Sequence, residues 1–348
     1  MYSEFERILN NHRARYPLME PQDYGKLVYQ SEFGPEHMIA DEESVLRYLR
    51  EEWALADEGD REPEDIGGGL CRFYLNADTE KDFVAEVLVK LFDLTAKKHI
   101  GSLDGLAEKL SVLEKMPVPG MQEWLQEYRA AGCPAVHHSE AYRKAYRPHY
   151  RLLKKEYAAV FPALVETAKL LKQRERAVVA IDGRCGSGKS ALGELMREVF
   201  SCNVFHMDDF YLPREQRTEN WMERPGGNMD LVRLKREVLD QVFVGQAVDS
   251  RRFDCGAGAF AQSIHVQPAR LTVIEGSYSH HPALEADYDL KIFITCEEQE
   301  RLRRLREREG DYFPTFRQLW MPLEEQYIRL CAVEERAALV IDTGALFL

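Results

Sequence analysis

AVVAIDGRCGSGKSALGELM, residues 177–196, runs from an apolar stretch through a glycine-rich octapeptide into a helix-like pattern. Gly183-Arg184-Cys185-Gly186-Ser187-Gly188-Lys189-Ser190 fits G-x-x-x-x-G-K-[ST], and it stands where that pattern has physical meaning, after a strand and before a helix. Glycines let the backbone fold tightly enough for successive N–H groups and the helix N-terminus to point at phosphate oxygens. Lys189 supplies a mobile cation for the outer phosphates, and Ser190 places a hydroxyl where nucleotide-bound Mg²⁺ sits. Cys185, inside the loop, reads as a small filler, although neighbouring N–H groups can favour a thiolate there.

Outward from the loop toward the C-terminus, short apolar runs alternate with helical patterns. AVVAID, CNVFHM, LTVIEG, LKIFITC and AALVID read as strands; the segments from Ser190, through DLVRLKREVLDQVF, through EEQERLRRLRERE and after Pro322 read as helices. Apolar runs alternating with helices are the signature of a parallel sheet covered on both faces. The expected fold of residues 173–348 is therefore α/β, with a P-loop NTPase-type parallel sheet and helices on both faces. Toward the N-terminus the pattern changes near Lys172. EESVLRYLREEWALAD, KDFVAEVLVKLFDLTAKK and LDGLAEKLSVLEK repeat apolar residues at three- and four-residue spacing, with turn signals in PEDIGGGL and KMPVPGM. Residues 1–172 are expected to form an all-helical domain, with Tyr142–Gln173 as a long helix or pair of helices.

Composition limits the partners. A formal net charge of -13 argues against a surface built to neutralise nucleic-acid phosphates or anionic lipid. Seven scattered cysteines without a C-x-x-C pair fit a reducing compartment. The N-terminus MYSEFERILNNHRARYP carries charges through what would be a signal peptide's apolar core, and no run is long enough to span a membrane, so a cytoplasmic location is expected.

HMDDFYLP, residues 206–213, follows a strand, where ligands of open α/β sheets bind. A carboxylate there can align an acceptor hydroxyl and take its proton, and Asp208 is the candidate base. Together, a P-loop of the form G-x-x-G-S-G-K-S, D-x-F-Y after the next strand, E-G ending an apolar strand and an arginine-rich helix resemble the uridine kinase and phosphoribulokinase group, which includes pantothenate and nicotinamide riboside kinases. The resemblance covers about residues 177–345. It implies that Asp208 is the catalytic carboxylate and that Tyr211 lies near the acceptor. It also places Asp230 of NMDLVRL as a grip on an acceptor hydroxyl, with a plain helix N-cap as the other reading. In RRFDCGAG it puts Phe253 against the acceptor and Asp254 in the turn, with Phe where the family has Tyr. Glu275 would join Ser190 and Asp208 in holding Mg²⁺. Arg301, Arg304 and Arg308, on one helical face, would lead into a lid that neutralises charge on the transferring phosphoryl group.

The N-terminal half carries fewer chemical signals. Tyr142, Tyr146 and Tyr150 recur every four residues beside Arg143, Arg147 and Arg151; core packing is the first reading and a stacking face the second. His37, His137, His138 and His149 read as core or capping groups unless folding gathers them around a metal. The expected function is an ATP- and Mg²⁺-dependent kinase acting on a small-molecule hydroxyl acceptor, a nucleoside by the resemblance, with no nucleic-acid or membrane partner and with a homo-oligomer compatible with the chain. Two rivals stand beside it. One is a nucleotide-binding regulatory protein without transfer, and the other a kinase for a sugar phosphate or pantothenate-like acceptor. The absence of an N-K-x-D segment favours ATP over GTP.

Overall fold

The computed structural model of the chain describes residues 3–35, 42–59, 61–77, 82–254 and 256–344; His37 and Cys255 lie outside the described residues. The chain divides into two compact units, residues 1–158 and 159–346. The division falls inside the helix Lys155–Gln173, whereas the change of sequence pattern comes at that helix's end, near Lys172.

The first unit is largely helical. The three periodic segments form Glu42–Trp53, Asp82–Lys98 and Leu103–Leu113. Ser3 and Ser102 cap the helices that follow them, each hydroxyl accepting an N–H that the helix itself leaves unpaired. To the all-helical reading the structure adds a three-stranded antiparallel sheet, β1 (Glu64–Gly67), β2 (Leu70–Tyr74) and β3 (Tyr150–Lys154), with β2 in the centre. PEDIGGGL is thus the hairpin between β1 and β2, not a break between helices. Gly68 holds φ +64°, and a Cβ there would come 2.1 Å from the Ser31 carbonyl oxygen. Nor does one helix run from Tyr142 onward. The helix Glu140–Tyr146 stops where Arg147 takes φ 42° and Pro148 follows, so the chain is free to enter β3.

Tyr142 is fully buried and stacks on His138 at 4.2 Å, while Tyr150 lies in β3 rather than on a shared helical face. Core packing is what these tyrosines do. The histidines have separate partners. His138 sits between Asp23 and Tyr150, at 2.9 and 2.8 Å, and His149 faces Glu52 at 3.3 Å. Among the described residues no group of three or more His, Cys, Asp or Glu side chains is arranged as a metal-binding cluster.

The second unit is built on a five-stranded parallel sheet of β4 (Ala177–Gly183), β5 (Asn203–His206), β8 (Leu271–Glu275), β9 (Leu290–Thr295) and β10 (Leu339–Asp342). Their spatial order is β10-β9-β4-β8-β5. β4 is central and buried along its whole length, which is why AVVAI is continuously apolar rather than alternating. From β4 the chain passes to the β5 edge, returns to β8 and then crosses to β9 and β10. The loop after β4 therefore opens at the point where the strand order reverses, the ligand crevice of such sheets. Between β5 and β8 lies the antiparallel hairpin of β6 (Val248–Asp254) and β7 (Ala259–Val266). No helix among the described residues is long and apolar enough to cross a membrane.

Candidate functional site: the phosphate loop and its surroundings

The loop closes on β4 through backbone geometry that only glycine tolerates. Gly183 holds φ +144°, and a Cβ there would come 1.9 Å from the Ile294 carbonyl oxygen of β9. Gly188, at φ +106°, caps the helix Lys189–Phe200 and turns the chain into it. Asp182, buried at the end of β4, accepts hydrogen bonds from the N–H groups of Gly183 and His280 and from the Tyr327 hydroxyl. This buried carboxylate ties the loop to two other segments.

The lysine and the serine of the motif sit at the helix N-terminus. Lys189 Nζ donates to the Gly183 carbonyl at 2.6 Å and stands 3.6 Å from Glu324 Oε1. Ser190 Oγ donates toward both oxygens of Glu275, at 3.2 and 3.1 Å. Glu275, buried at the end of β8, is also bonded by His206 Nδ1, and that hydrogen bond raises the His206 pKa above its ordinary value.

Asp208 lies on the turn Met207–Phe210 that follows β5. Its side chain is exposed to solvent at the edge of the packed turn. Desolvation, followed by the charge of Glu275, raises its pKa, while Lys189 and a hydrogen bond from Tyr211 act in the opposite sense. The structure thus brings Asp208, Glu275, Lys189, Ser190 and Tyr211 to one place. Tyr211 pairs with Met229 across an isolated bridge, and its ring stands 6.3 Å from that of Trp320.

The remaining loop residues have more structural duties. Arg184 bonds Glu325, Glu334 and Thr295, at 2.9, 2.9 and 3.1 Å, so its guanidinium braces the loop. Burial and the neighbouring Glu324 carboxylate push the Cys185 thiol up to about 12, against the thiolate. Ser187 is buried, and its carbonyl accepts the Thr343 hydroxyl. Gly186 presents its carbonyl to Arg304 at 3.3 Å.

The arginine helix Glu298–Glu309 is brought to the loop only in part. Arg301 is buried, bonds the Cys296 carbonyl and lies 3.8 Å from Glu325. Arg304 reaches Gly186 and pairs with Glu300. Arg308 is instead engaged with Glu309 and stacks over Phe316.

Of the residues the resemblance assigned to the acceptor, Asp230 is an N-cap whose carboxylate accepts the Arg233 N–H at 3.0 Å and pairs with its guanidinium at 3.3 Å. Phe253 is buried and packs edge-on against Phe260 at 5.3 Å. Asp254 accepts the N–H groups of Gly256 and Ala257, ordering the turn as the sequence suggested.

Motif reasoning passed over Asp182, His206, Ser277, Glu324 and Tyr327, because each belongs to a segment whose pattern reads only as strand end or helix. Tyr278 alone marks its place by backbone, with φ 76°, rare for a bulky residue.

The glycine geometry, the lysine at the helix start and the strand order together settle the architecture. The second unit has the P-loop fold. In this half the chain resembles P-loop kinases. A solved structure described as a possible uridine kinase from Bacillus stearothermophilus is 20% identical, with a TM-score of 0.40, over 50% of this chain and 96% of its own. A candidate fructose transport system kinase from Silicibacter sp. TM1040 is 21% identical, with a TM-score of 0.42, over 51% of this chain and 97% of its own. No family model matches the sequence. No curated protein matches it either.

Proposed function

We propose that the second unit is an ATP-dependent kinase that transfers the γ-phosphate to a hydroxyl of a small molecule, a nucleoside or similar polyol. One observation carries the reading: Asp208, a solvent-reachable carboxylate of raised pKa, stands with Lys189 and Glu275 beside the phosphate loop. A base of raised pKa takes a hydroxyl proton more readily.

In the proposed reaction Asp208 aligns the acceptor hydroxyl and takes its proton as the oxygen bonds to the γ-phosphorus. The bond from that phosphorus to the ADP oxygen breaks at the same time. Lys189 turns from the Gly183 carbonyl to the outer phosphates, and the loop amides hold the inner ones. Arg301 and Arg304, already at the loop, offset charge spreading over the phosphoryl oxygens, and closure of their helix would keep water from competing with the acceptor. The Ser190 hydroxyl and Glu275 carboxylate, within 3.2 Å of each other and near Asp208, are hard oxygen donors that would hold Mg²⁺ beside the outer phosphates. When bound, that ion neutralises charge on the outer phosphates. Tyr211, Asp230 and Phe253 would face the acceptor side. Free thiols at the six described cysteines suit a cytoplasmic setting.

The test is ADP formation from Mg-ATP against a panel of nucleosides, sugar phosphates and pantothenate, with Lys189→Ala as blank. Stimulation by a nucleoside supports the reading, and stimulation by one of the others keeps the kinase and changes the acceptor. A flat panel in a chain that binds ATP sinks the transfer reading in favour of a regulatory nucleotide-binding role.

A further inference from the structure

The helix Met321–Leu330 follows the arginine helix and a π-turn at Phe316–Trp320. From its first turn Glu324 enters the phosphate loop, where it is only 4% exposed. One carboxylate oxygen accepts the Cys185 N–H at 2.7 Å. The other accepts the Ser277 hydroxyl and stands 3.6 Å from Lys189 Nζ. A glycine-loop amide and the ammonium that reaches the outer phosphates are the groups by which such a loop holds an anion. Here a carboxylate of the same chain has taken them. A buried carboxylate persists only where partners satisfy it, and here the Cys185 N–H and the Ser277 hydroxyl donate to it while the Lys189 ammonium faces it. An arriving phosphate oxygen needs the same donors and would bring its charge against Glu324 where screening is weak.

We propose that Glu324 is an intramolecular stand-in for the outermost phosphate, a residue that fills the cradle and that the γ-phosphate of a nucleoside triphosphate must displace. The proposal rests on the loop being the nucleotide site. It makes Glu324 a determinant of which nucleotide binds, because the lysine it faces serves the β- and γ-phosphates, so a triphosphate competes with it more directly than a diphosphate does. Its displacement also reaches the lid. The next residue, Glu325, lies 2.9 Å from Arg184 and 3.8 Å from Arg301, so a shift of this helix changes what holds Arg301.

The experiment is calorimetric titration of the full chain, with Mg²⁺ present, by a non-hydrolysable ATP analogue and by ADP. Wild type, Glu324→Gln and Ser277→Ala are compared. Glu324→Gln keeps the shape and removes the charge; it should tighten binding of the analogue about tenfold or more, and of ADP by less. Ser277→Ala, which removes one donor holding the carboxylate, should tighten the analogue by about threefold. Unchanged or weaker binding by Glu324→Gln overturns the proposal, since a carboxylate that only shapes the loop would weaken binding when altered. If circular dichroism shows that variant unfolded, Ser277→Ala carries the test, and an unchanged or weaker affinity overturns the proposal equally. Failure of all three chains to bind either nucleotide overturns the phosphate-loop reading and this proposal with it. Equal affinities in chains that do bind overturn the role of Glu324 alone.

Discussion

Arg72 and Lys189 are both basic side chains withdrawn from solvent, at 0% and 9% exposure, one in each unit. Arg72, in β2, donates to Gln30 at 3.1 Å and Tyr142 at 3.4 Å, lies 3.8 Å from Glu64 and sits over the Tyr150 ring. Every one of these partners is itself buried in the packed core. Lys189 has the Gly183 carbonyl and the Glu324 carboxylate, and in the proposed function a phosphate group takes their place. The difference teaches that buried charge alone does not mark a site. A charge whose partners are packed in place is structure; a charge whose partners are exchangeable, beside a loop built of strained glycines, is available for chemistry.

Substitutions should separate the two kinds of charge. The largest effect is expected for Lys189→Ala, which should lower phosphoryl transfer by about 10⁴-fold while costing less stability than Arg72→Met, because Glu324 keeps the Cys185 N–H and the Ser277 hydroxyl as donors. A large fall in stability instead would place Lys189 with Arg72. Arg72→Met should do the reverse, destabilising the first unit by about 3–5 kcal/mol, since Glu64 loses the buried one of its two arginines and keeps only the half-exposed Arg15 at 3.5 Å. Urea unfolding followed by circular dichroism measures it. A near-neutral result would mean that the aromatic packing outweighs the ion pair. Asp208→Asn should keep nucleotide affinity and lower transfer by about 10²–10⁴-fold; an active variant breaks the base assignment.

The smallest effect is a pH dependence in the first unit. Burial lowers the His138 pKa to about 3, against the opposing effect of the hydrogen bond it donates to Asp23, whose own carboxyl lies below its ordinary value. The folded state therefore resists a proton that the unfolded chain accepts. The stability from His138 is whole above the ordinary imidazole value of 6.5 and is lost as pH falls from there toward 3, and the Asp23 contribution falls in the same direction at lower pH. The slope should reach about 1.4 kcal/mol per pH unit. Unfolding midpoints of wild type and His138→Gln at several pH values test this, because the variant should lose most of the slope.

Much of the site could be read from the chain in advance. Gly183 to Ser190 announced themselves because a phosphate loop is local, with its backbone demands and its lysine lying within one short stretch. Asp208 and Glu275 were legible for a related reason, since each directly follows or ends an apolar strand and strand ends are where such sheets bind ligands. Arg304 reaches the Gly186 carbonyl and Arg301 bonds the Cys296 carbonyl, but Arg308, on the same face, turns to Glu309 and Phe316. Spacing fixes a helical face; it does not fix how far along that face the neighbouring segment extends.

The strands of the first unit escaped notice for the same reason in reverse. GGG in PEDIGGGL looked like a pause between helices, and YRLLK looked like the middle of one. They become β1, β2 and β3 only because Leu70 pairs with Lys154 and Tyr74 with Tyr150 across a long stretch of chain. Asp230 shows a milder case. The sequence left it between acceptor grip and N-cap, and the folded chain engages it as the N-cap of Leu231–Leu234.

By itself, then, the sequence determined the phosphate loop, the alternating order of strands and helices that makes a parallel sheet, and the carboxylates at the strand ends, because each depends on residues close together in the chain. Only the tertiary structure decided that Glu324 accepts the Cys185 N–H, that the Arg184 guanidinium reaches Glu325 and Glu334, and that Asp23, His138 and Tyr150 form one buried chain of hydrogen bonds. These are pairings between distant segments, and their energies come from desolvation and donor geometry that exist only once the chain is packed.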